Sequence, residues 1–150
     1  MGRRNFILIT LLVLGLDQLS KWLTVNYLTF QRINCGWFDL NYVTNTGGAF
    51  GLFPRMAWLY TIVGIAVILA VFFSLNKITA LPVLYQCCLA LITGGALGNI
   101  IDRLRFKYVI DFIDFRFWPV FNLADAFICI GVIGLIILEL KKDMGNKTDA

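Results

Sequence analysis

There is no histidine anywhere in the 150 residues. Without one, a Ser-His or Cys-His nucleophile cannot be assembled, and a zinc site loses its commonest nitrogen ligand. Charge is scarce as well: Asp, Glu, Lys and Arg make up 15% of the chain, where a soluble domain carries about a quarter. The four cysteines have no metal-binding spacing. Cys87 and Cys88 are neighbours in one apolar stretch, Cys129 lies in another and Cys35 stands apart, so they read as small apolar filler with no disulfide. Gly47-Gly48 lacks the Lys-Ser/Thr that completes a phosphate loop. What remains for chemistry is carboxylate, nine acidic residues of which only Glu139 is a glutamate.

What is abundant is hydrocarbon. At 59% apolar residues and a mean hydropathy of +0.80, the chain belongs in a bilayer. A span needs about 20 apolar residues, and four stretches supply them: Asn5 to Tyr27, Met56 to Leu75, Leu81 to Ile101 and Asn122 to Leu140. The expected architecture is a membrane all-α domain over residues 1–150, with two sizeable excursions, 28–55 and 102–121, on one side. Both termini and the tight turn Asn76–Ala80 lie on the other. Basic residues do not separate the sides, because Arg3, Arg4, Lys77, Lys141, Lys142 and Lys147 on the terminal face are matched by Arg32, Arg55, Arg103, Arg105, Lys107 and Arg116 on the excursion face. Arg3 and Arg4 directly before the first span, and Trp22, Trp37, Trp58 and Trp118 near the excursion face, place the termini in the cytoplasm. The net charge of +4 suits an anionic membrane surface and calls for no nucleic acid.

The first span starts like a secretory signal peptide, but Asp17-Gln18-Leu19-Ser20-Lys21-Trp22 offers no small-residue cleavage site, and the span reads as a retained helix. Asp17 and Lys21, four apart, share a helix face and read as a structural ion pair that lowers the cost of two charges in the membrane. In the third span, Gly94, Gly95 and Gly98 permit close helix approach, with Gly131 and Gly134 of the fourth span as the expected matching surface. Asn99 and Asp102 lie on one face at that span's end, where Asp102 reads as a neutralised helix terminus with Arg103 available as the clamp.

The first excursion alternates like a half-buried strand, Phe38, Leu40 and Tyr42 against Asp39, Asn41 and Asn45, and a second strand is expected over Lys107–Phe112. Together they predict a small sheet on the membrane surface. Asn45 before two glycines is turn chemistry or a group that hydrogen-bonds an extended peptide. The segment Val109–Asp125 carries three of the nine acids. Asn122, after an aromatic loop closed by Pro119, reads as the N-cap of the fourth helix, which puts Asp125 one turn inside it. Asp111 sits on the preceding extended piece and can fold back against Asp125. Two acids in a half-buried place are costly unless they share a proton, which is the working state of an aspartic protease pair. A bland reading stands beside it, in which Asp125 only complements the helix start. Asp114 is a competing partner for the pair. A proton-coupled transporter would also place acids and asparagines in membrane helices, but no internal repeat relates the halves of this chain. A non-catalytic assembly subunit would explain the glycines and aromatics without needing Asp111.

Five ordered segments give the chain a specific likeness. Asp17-Gln18-Leu19-Ser20-Lys21, Asn45-Thr46-Gly47-Gly48-Ala49-Phe50, Gly94 to Arg103, Val109-Ile110-Asp111-Phe112 and Phe121-Asn122-Leu123-Ala124-Asp125 resemble the motifs of the signal peptidase II family, the bacterial aspartic proteases of lipoproteins. The resemblance implies four membrane helices with an extracytoplasmic cradle-like sheet, in the bacterial cytoplasmic membrane. It assigns Asp111 and Asp125 as the dyad and leaves Asp114 outside the pattern. It also implies that Asn45, Asn99, Arg103 and Asn122 position the substrate, a diacylglyceryl-modified prolipoprotein cut just before its lipidated cysteine. No metal or organic cofactor is implied, and the enzyme is expected to act as a monomer beside membrane lipid. The stretch between the two dyad motifs is short for the family.

Overall fold

The computed structural model describes residues 1–47 and 57–148, so Gly48, Ala49 and Phe50, Arg55 and the expected span start at Met56 lie outside the described residues. The order of elements is α1 (Arg3–Leu28), β1 (Ile33–Asn34), β2 (Asp39–Asn45), α2 (Ala57–Ile78), α3 (Val83–Phe106), β3 (Val109–Asp114) and α4 (Leu123–Thr148). Among the described residues these four helices are each long and apolar enough to cross a membrane. The spans expected from sequence overlap them almost throughout, with Leu81, Pro82 and Asn122 preceding α3 and α4, and each helix runs beyond its apolar run at the C-terminal end. α3 illustrates why. Its apolar stretch ends at Ile101, yet the helix continues to Phe106 and closes on Lys107, whose backbone is left-handed (φ 69°) with its N–H on the Arg103 carbonyl at 3.1 Å. The α2–α3 turn falls at Thr79–Pro82 rather than Asn76–Ala80, held by Gln86, whose buried Nε2 donates to the carbonyls of Thr79 at 3.2 Å and Leu81 at 2.6 Å.

α3 is the hub and packs against the other three helices. In its most apolar stretch 44% of residues are buried inside the protein, against 6% in α2, whose Ile62, Val63, Phe72 and Phe73 face the surroundings. Apolar surface of that kind along a helix of spanning length is what a bilayer's hydrocarbon accommodates. The glycines let α3 serve two neighbours at once, which corrects the expected match of glycine to glycine. A Cβ at Gly94 would come 2.7 Å from the Thr10 carbonyl and Val13 of α1, and one at Gly98 would collide with the Asp17 carboxylate. Gly95 instead meets α4, at 2.5 Å from the Ala124 carbonyl. Gly131 and Gly134 do face α3, but at Cys88 and Ile92, one to two turns away from its glycines. The reason is geometric: Gly94 and Gly98, four apart, form one ridge, while Gly95 is turned by about 100° onto the next face.

Outside the helix layer the three strands form an antiparallel sheet in the order β1-β2-β3. The strand expected at Lys107–Phe112 is β3, two residues later. Asp39 pairs with Asp114 and Leu40 with Ile113. A bulge then shifts the register so that Val43 meets Asp111 and Asn45 meets Val109. The bulge also breaks the simple alternation read from residues 38–45, and Asp39 is buried. After β3 the chain turns back and Phe121 joins the strand edge. Its carbonyl accepts from the N–H groups of Phe112 (3.0 Å) and Ile113 (2.9 Å), and its own N–H donates to the Ile113 carbonyl at 3.1 Å. Phe115 stacks on Phe121 with ring centroids 5.9 Å apart. Arg116, left-handed at φ 67°, grips Asp39 through Nε (2.9 Å) and Nη2 (3.0 Å), and Arg32 contacts the same carboxylate. These clamps, Arg116 foremost, hold the Asp39 carboxyl down at about 2.

The glycine contacts generate a stability test. Gly98→Ala drives a methyl into Asp17 and is expected to cost about 1–3 kcal/mol by overpacking. Gly15→Ala, with nothing within 4 Å of its added Cβ, should be neutral or gain up to about 1 kcal/mol in helix propensity. Thermal unfolding of the two variants in detergent measures both, and equal stability would refute the close α1–α3 approach.

Candidate active site

Asp111 and Asp125 come from different elements and meet where the sheet joins the helices. β3 delivers Asp111, which is 1% exposed. α4 delivers Asp125, partly exposed in its first turn. The Phe121 hook beside β3 brings Asn122 between them. Its Oδ1 accepts the Asp125 N–H at 3.0 Å, the bond of an N-cap residue to the third helical position. Its Nδ2 donates to Asp111 Oδ1 at 2.7 Å. Asn122 is thus cap and bridge together, and it is fully buried.

The Asp125 carboxylate does not turn back to the helix start as a capping-box side chain would. It accepts from Asn99 Nδ2 of α3 at 2.7 Å. Asn99 Oδ1 in turn accepts from Asn122 Nδ2 at 3.2 Å and from Lys21 Nζ at 3.0 Å. Asn45, at the end of β2, donates through Nδ2 to Asp111 Oδ2 at 2.8 Å, while its own Oδ1 accepts the Gly47 N–H at 2.9 Å. Asn45 is thus a turn former whose other end touches an acid. Burial, followed by the charge of Asp125, pushes Asp111 up to about 7, against the downward pull of the Asn45 and Asn122 amides and Lys21.

Asp114 lies elsewhere. It is an odd number of residues from Asp111 along the strand, so it points to the other face, where its Oδ2 is 3.4 Å from Arg32 and from Asn41 Nδ2, and its Oδ1 accepts the Arg116 N–H at 2.8 Å. Arg103 is also differently employed from the expectation. Residues 102 and 103 diverge by about 100° around the helix, so Arg103 does not clamp Asp102. Its guanidinium sits over the Tyr60 ring at 5.6 Å and near the Asn99 carbonyl at 3.5 Å, and its buried Nε has no hydrogen-bond partner among the described residues. Asp102 is held by Lys21 instead, at 2.9 Å, the same distance that separates Lys21 from Asp17. The ion pair read at i, i+4 is thus part of a triad.

Three residues of this network escaped the sequence reading. Gln18 Nε2 spans Asp17 Oδ2 (3.2 Å), the Gly98 carbonyl (3.2 Å) and Asp102 Oδ1 (3.1 Å). Asp39 organises the loop through two arginines. Tyr60 was hidden in a span that reads as uniformly apolar. Among the described residues no three of the types Cys, Asp and Glu come together as a metal site would require.

The comparisons with known proteins agree with this geometry. A family model described as "Signal peptidase (SPase) II" matches residues 9–141. The lipoprotein signal peptidase of Syntrophomonas wolfei is 46% identical over 133 residues, covering 87% of this chain and 89% of its own. That of Moorella thermoacetica is 44% identical over 131 residues, with 85% and 87% covered. That of a Streptococcus pyogenes strain is 37% identical over 152 residues, covering 97% of this chain and all of its own. Two solved bacterial membrane enzymes superpose with TM-scores of 0.84 and 0.78 at 31% and 30% identity. They cover 95% and 91% of this chain, and 91% and 93% of their own. A chain so matched along its length, and in three dimensions, belongs to the signal peptidase II family of proteases, which remove signal peptides from prolipoproteins.

Proposed function

We propose that Asp111 and Asp125 are the reacting pair with which this chain cuts a diacylglyceryl-modified prolipoprotein just before its lipidated cysteine. The observation that carries the reading is the pair's environment. Two carboxylates from a strand and a helix meet through Asn99 and Asn122, and the buried one is raised to about 7 with a second acid beside it. At neutral pH Asp111 holds the shared proton. Asp125, the more open of the two, takes a proton from a water whose oxygen attacks the scissile carbonyl. Asp111 donates its proton to the carbonyl oxygen as the C–O double bond opens. The C–N bond then breaks as one hydroxyl of the intermediate returns its proton to Asp111 and re-forms the C=O bond, and the leaving amine takes the proton that Asp125 received.

Asn45 at the sheet edge and Arg103 with its unfilled Nε are the polar groups best placed to meet the extended peptide. The lipid of the substrate stays in the bilayer beside the helices, and the monomer suffices because both acids come from one chain. The positive charges of Arg3 and Arg4 in the first turn of α1 orient both termini to the cytoplasm, so the sheet and the pair lie toward the outer face of the bacterial cytoplasmic membrane.

Three measurements test the reading. Asp111→Asn and Asp125→Asn should each lower cleavage of a lipidated precursor peptide by at least about 100- to 10,000-fold, with the double variant no slower than either single. Asp114→Asn, on the opposite strand face, should cleave within a few-fold of the parent. A dead Asp114 variant that is folded, beside an active Asp111 variant, would reassign the pair.

The rate should also fall as pH rises through about 7. The sign follows from the raised value: Asp111 keeps its proton well above the usual carboxylate range and loses it only there, and with it the acid. For the same reason its contribution to stability declines as pH climbs from about 4 to about 7 and is flat above, because only the folded state binds the proton in that window. A rate that keeps increasing past pH 8 would contradict the assignment. For topology, reporter fusions after Lys142 should read cytoplasmic and fusions near Ile33 extracytoplasmic. The reverse pattern would overturn the orientation.

A further inference from the structure

Lys21 is 2% exposed, and its ammonium has three neighbours, Asp17 Oδ2 and Asp102 Oδ2 at 2.9 Å and Asn99 Oδ1 at 3.0 Å. An ammonium carries three protons and no lone pair, so all its capacity is used. Two of the contacts are charge neutralisation between α1 and α3. The third is different, because a neutral amide does nothing to balance charge, and because this amide is the one that touches Asp125.

The amide of Asn99 has two ends of opposite polarity. A group that can only donate must face its oxygen. The NH2 end is therefore turned to Asp125 Oδ1, where it sits at 2.7 Å. A flip of the amide would set its oxygen against the Asp125 carboxylate and its NH2 against the ammonium, two repulsive contacts for two attractive ones. Asn122 Nδ2 reaches the same Asn99 oxygen, but at 3.2 Å and without charge, and its shorter bond goes to Asp111 at 2.7 Å. The charge-assisted contact is the stronger of the two.

We propose that Lys21 is a positioning residue for the reaction: by fixing the polarity of the Asn99 amide it keeps a donor on Asp125 and so holds that carboxylate as the acceptor of the water proton. The inference rests on the reading of Asp111 and Asp125 as the reacting pair, and it gives the α1 ion pair a role beyond stability. Lys21 touches neither acid of the pair, and Asn99 is the side chain that joins it to the Asp125 carboxylate.

The test compares Asp17→Asn with the double variant Asp17→Asn/Lys21→Met. The double change removes one charge of each sign, so the net charge of the buried cluster stays that of the parent. Asp17→Asn keeps the ammonium while giving up one counter-ion, so its kcat is the reference against which the double variant is read. The double variant, folded by its thermal transition in detergent, should lose about 100-fold in kcat, the scale of a misplaced catalytic group, while KM changes less than about 3-fold. A double variant as fast as Asp17→Asn would reduce Lys21 to a structural ion. If that variant does not fold, the side-chain NH2 signal of Asn99 in enzyme labelled with [15N]asparagine decides: it should move strongly between the parent and Asp125→Asn, and a signal indifferent to Asp125 overturns the proposal. Active Asp111→Asn and Asp125→Asn enzymes in the same assay would instead sink the pair itself, an outcome separate from the failure of Lys21 alone.

Discussion

The structure depends on a lysine that has to be neutralised inside a membrane helix. A charged side chain at mid-membrane costs about 2.5–3.5 kcal/mol on insertion scales, and a buried ion left without its partner costs several kcal/mol more. Lys21 escapes that cost by touching carboxylates from two helices, Asp17 on its own and Asp102 on α3. The contact requires α1 and α3 to approach without Cβ atoms between them, which is what Gly94 and Gly98 permit. Each carboxylate then has an oxygen that also holds backbone. Asp17 Oδ1 accepts the Ala124 N–H at 2.9 Å, and Asp102 Oδ2 accepts the Ile110 N–H at 3.2 Å. One ammonium thereby fixes, through its two counter-ions, the backbone beside Asp125 and the backbone beside Asp111.

Asparagine does the remaining work of alignment, for a reason of polarity. An amide donates and accepts but does not titrate, so Asn45, Asn99 and Asn122 hold the two carboxylates in place without adding a titrating group beside them. Each uses both ends: Asn122 on the Asp125 N–H and Asp111, Asn99 on Lys21 and Asp125, Asn45 on the Gly47 N–H and Asp111. A lysine or arginine in their place would pin the acids as anions. A hydrophobic residue would leave buried oxygens unpaired, at about 1–3 kcal/mol for each.

The parts of this arrangement differ in how far the sequence alone could reveal them. Four apolar runs of span length are visible because the bilayer demands them. Their ends are less visible: α3 passes five residues beyond Ile101 because the charge of Asp102 is cancelled from α1, a contact between positions 81 residues apart. The i, i+4 spacing of Asp17 and Lys21 gave one edge of the triad and could not give the other. The glycine ridge was legible as a packing surface, but which neighbour each glycine receives depends on rotation about α3, and Gly94 and Gly95 diverge for that reason. Asp125 looked equally like a cap and like half of a pair. Its atoms divide, the N–H belonging to the cap and the carboxylate turning to Asn99. That Asp111 and Asp114 face opposite ways was within reach of strand parity alone. Asp39 was not, because its partners Arg32 and Arg116 come from opposite ends of the fold's outer layer.

Asp39 and Asp111 show how one small sheet handles carboxylates in two ways. Both are buried, at 2% and 1% exposure, and both stand on the paired strands β2 and β3. Asp39 meets guanidinium groups and is held down at about 2, so it is an anion at any pH the membrane tolerates and serves as a fixed anchor for the 115–121 loop. Among the described residues Asp111 is hydrogen-bonded by the amides of Asn45 and Asn122, and burial, with the charge of Asp125 behind it, lifts it to about 7. Burial raises both groups; the partner decides which effect wins. Arginine appears where a carboxylate stays charged to hold the loop, and asparagine around the one proposed to change state. The loop that Asp39 anchors carries Phe121 onto β3 and Asn122 onto Asp111, so the acid that never titrates sets the position of the one proposed to do so.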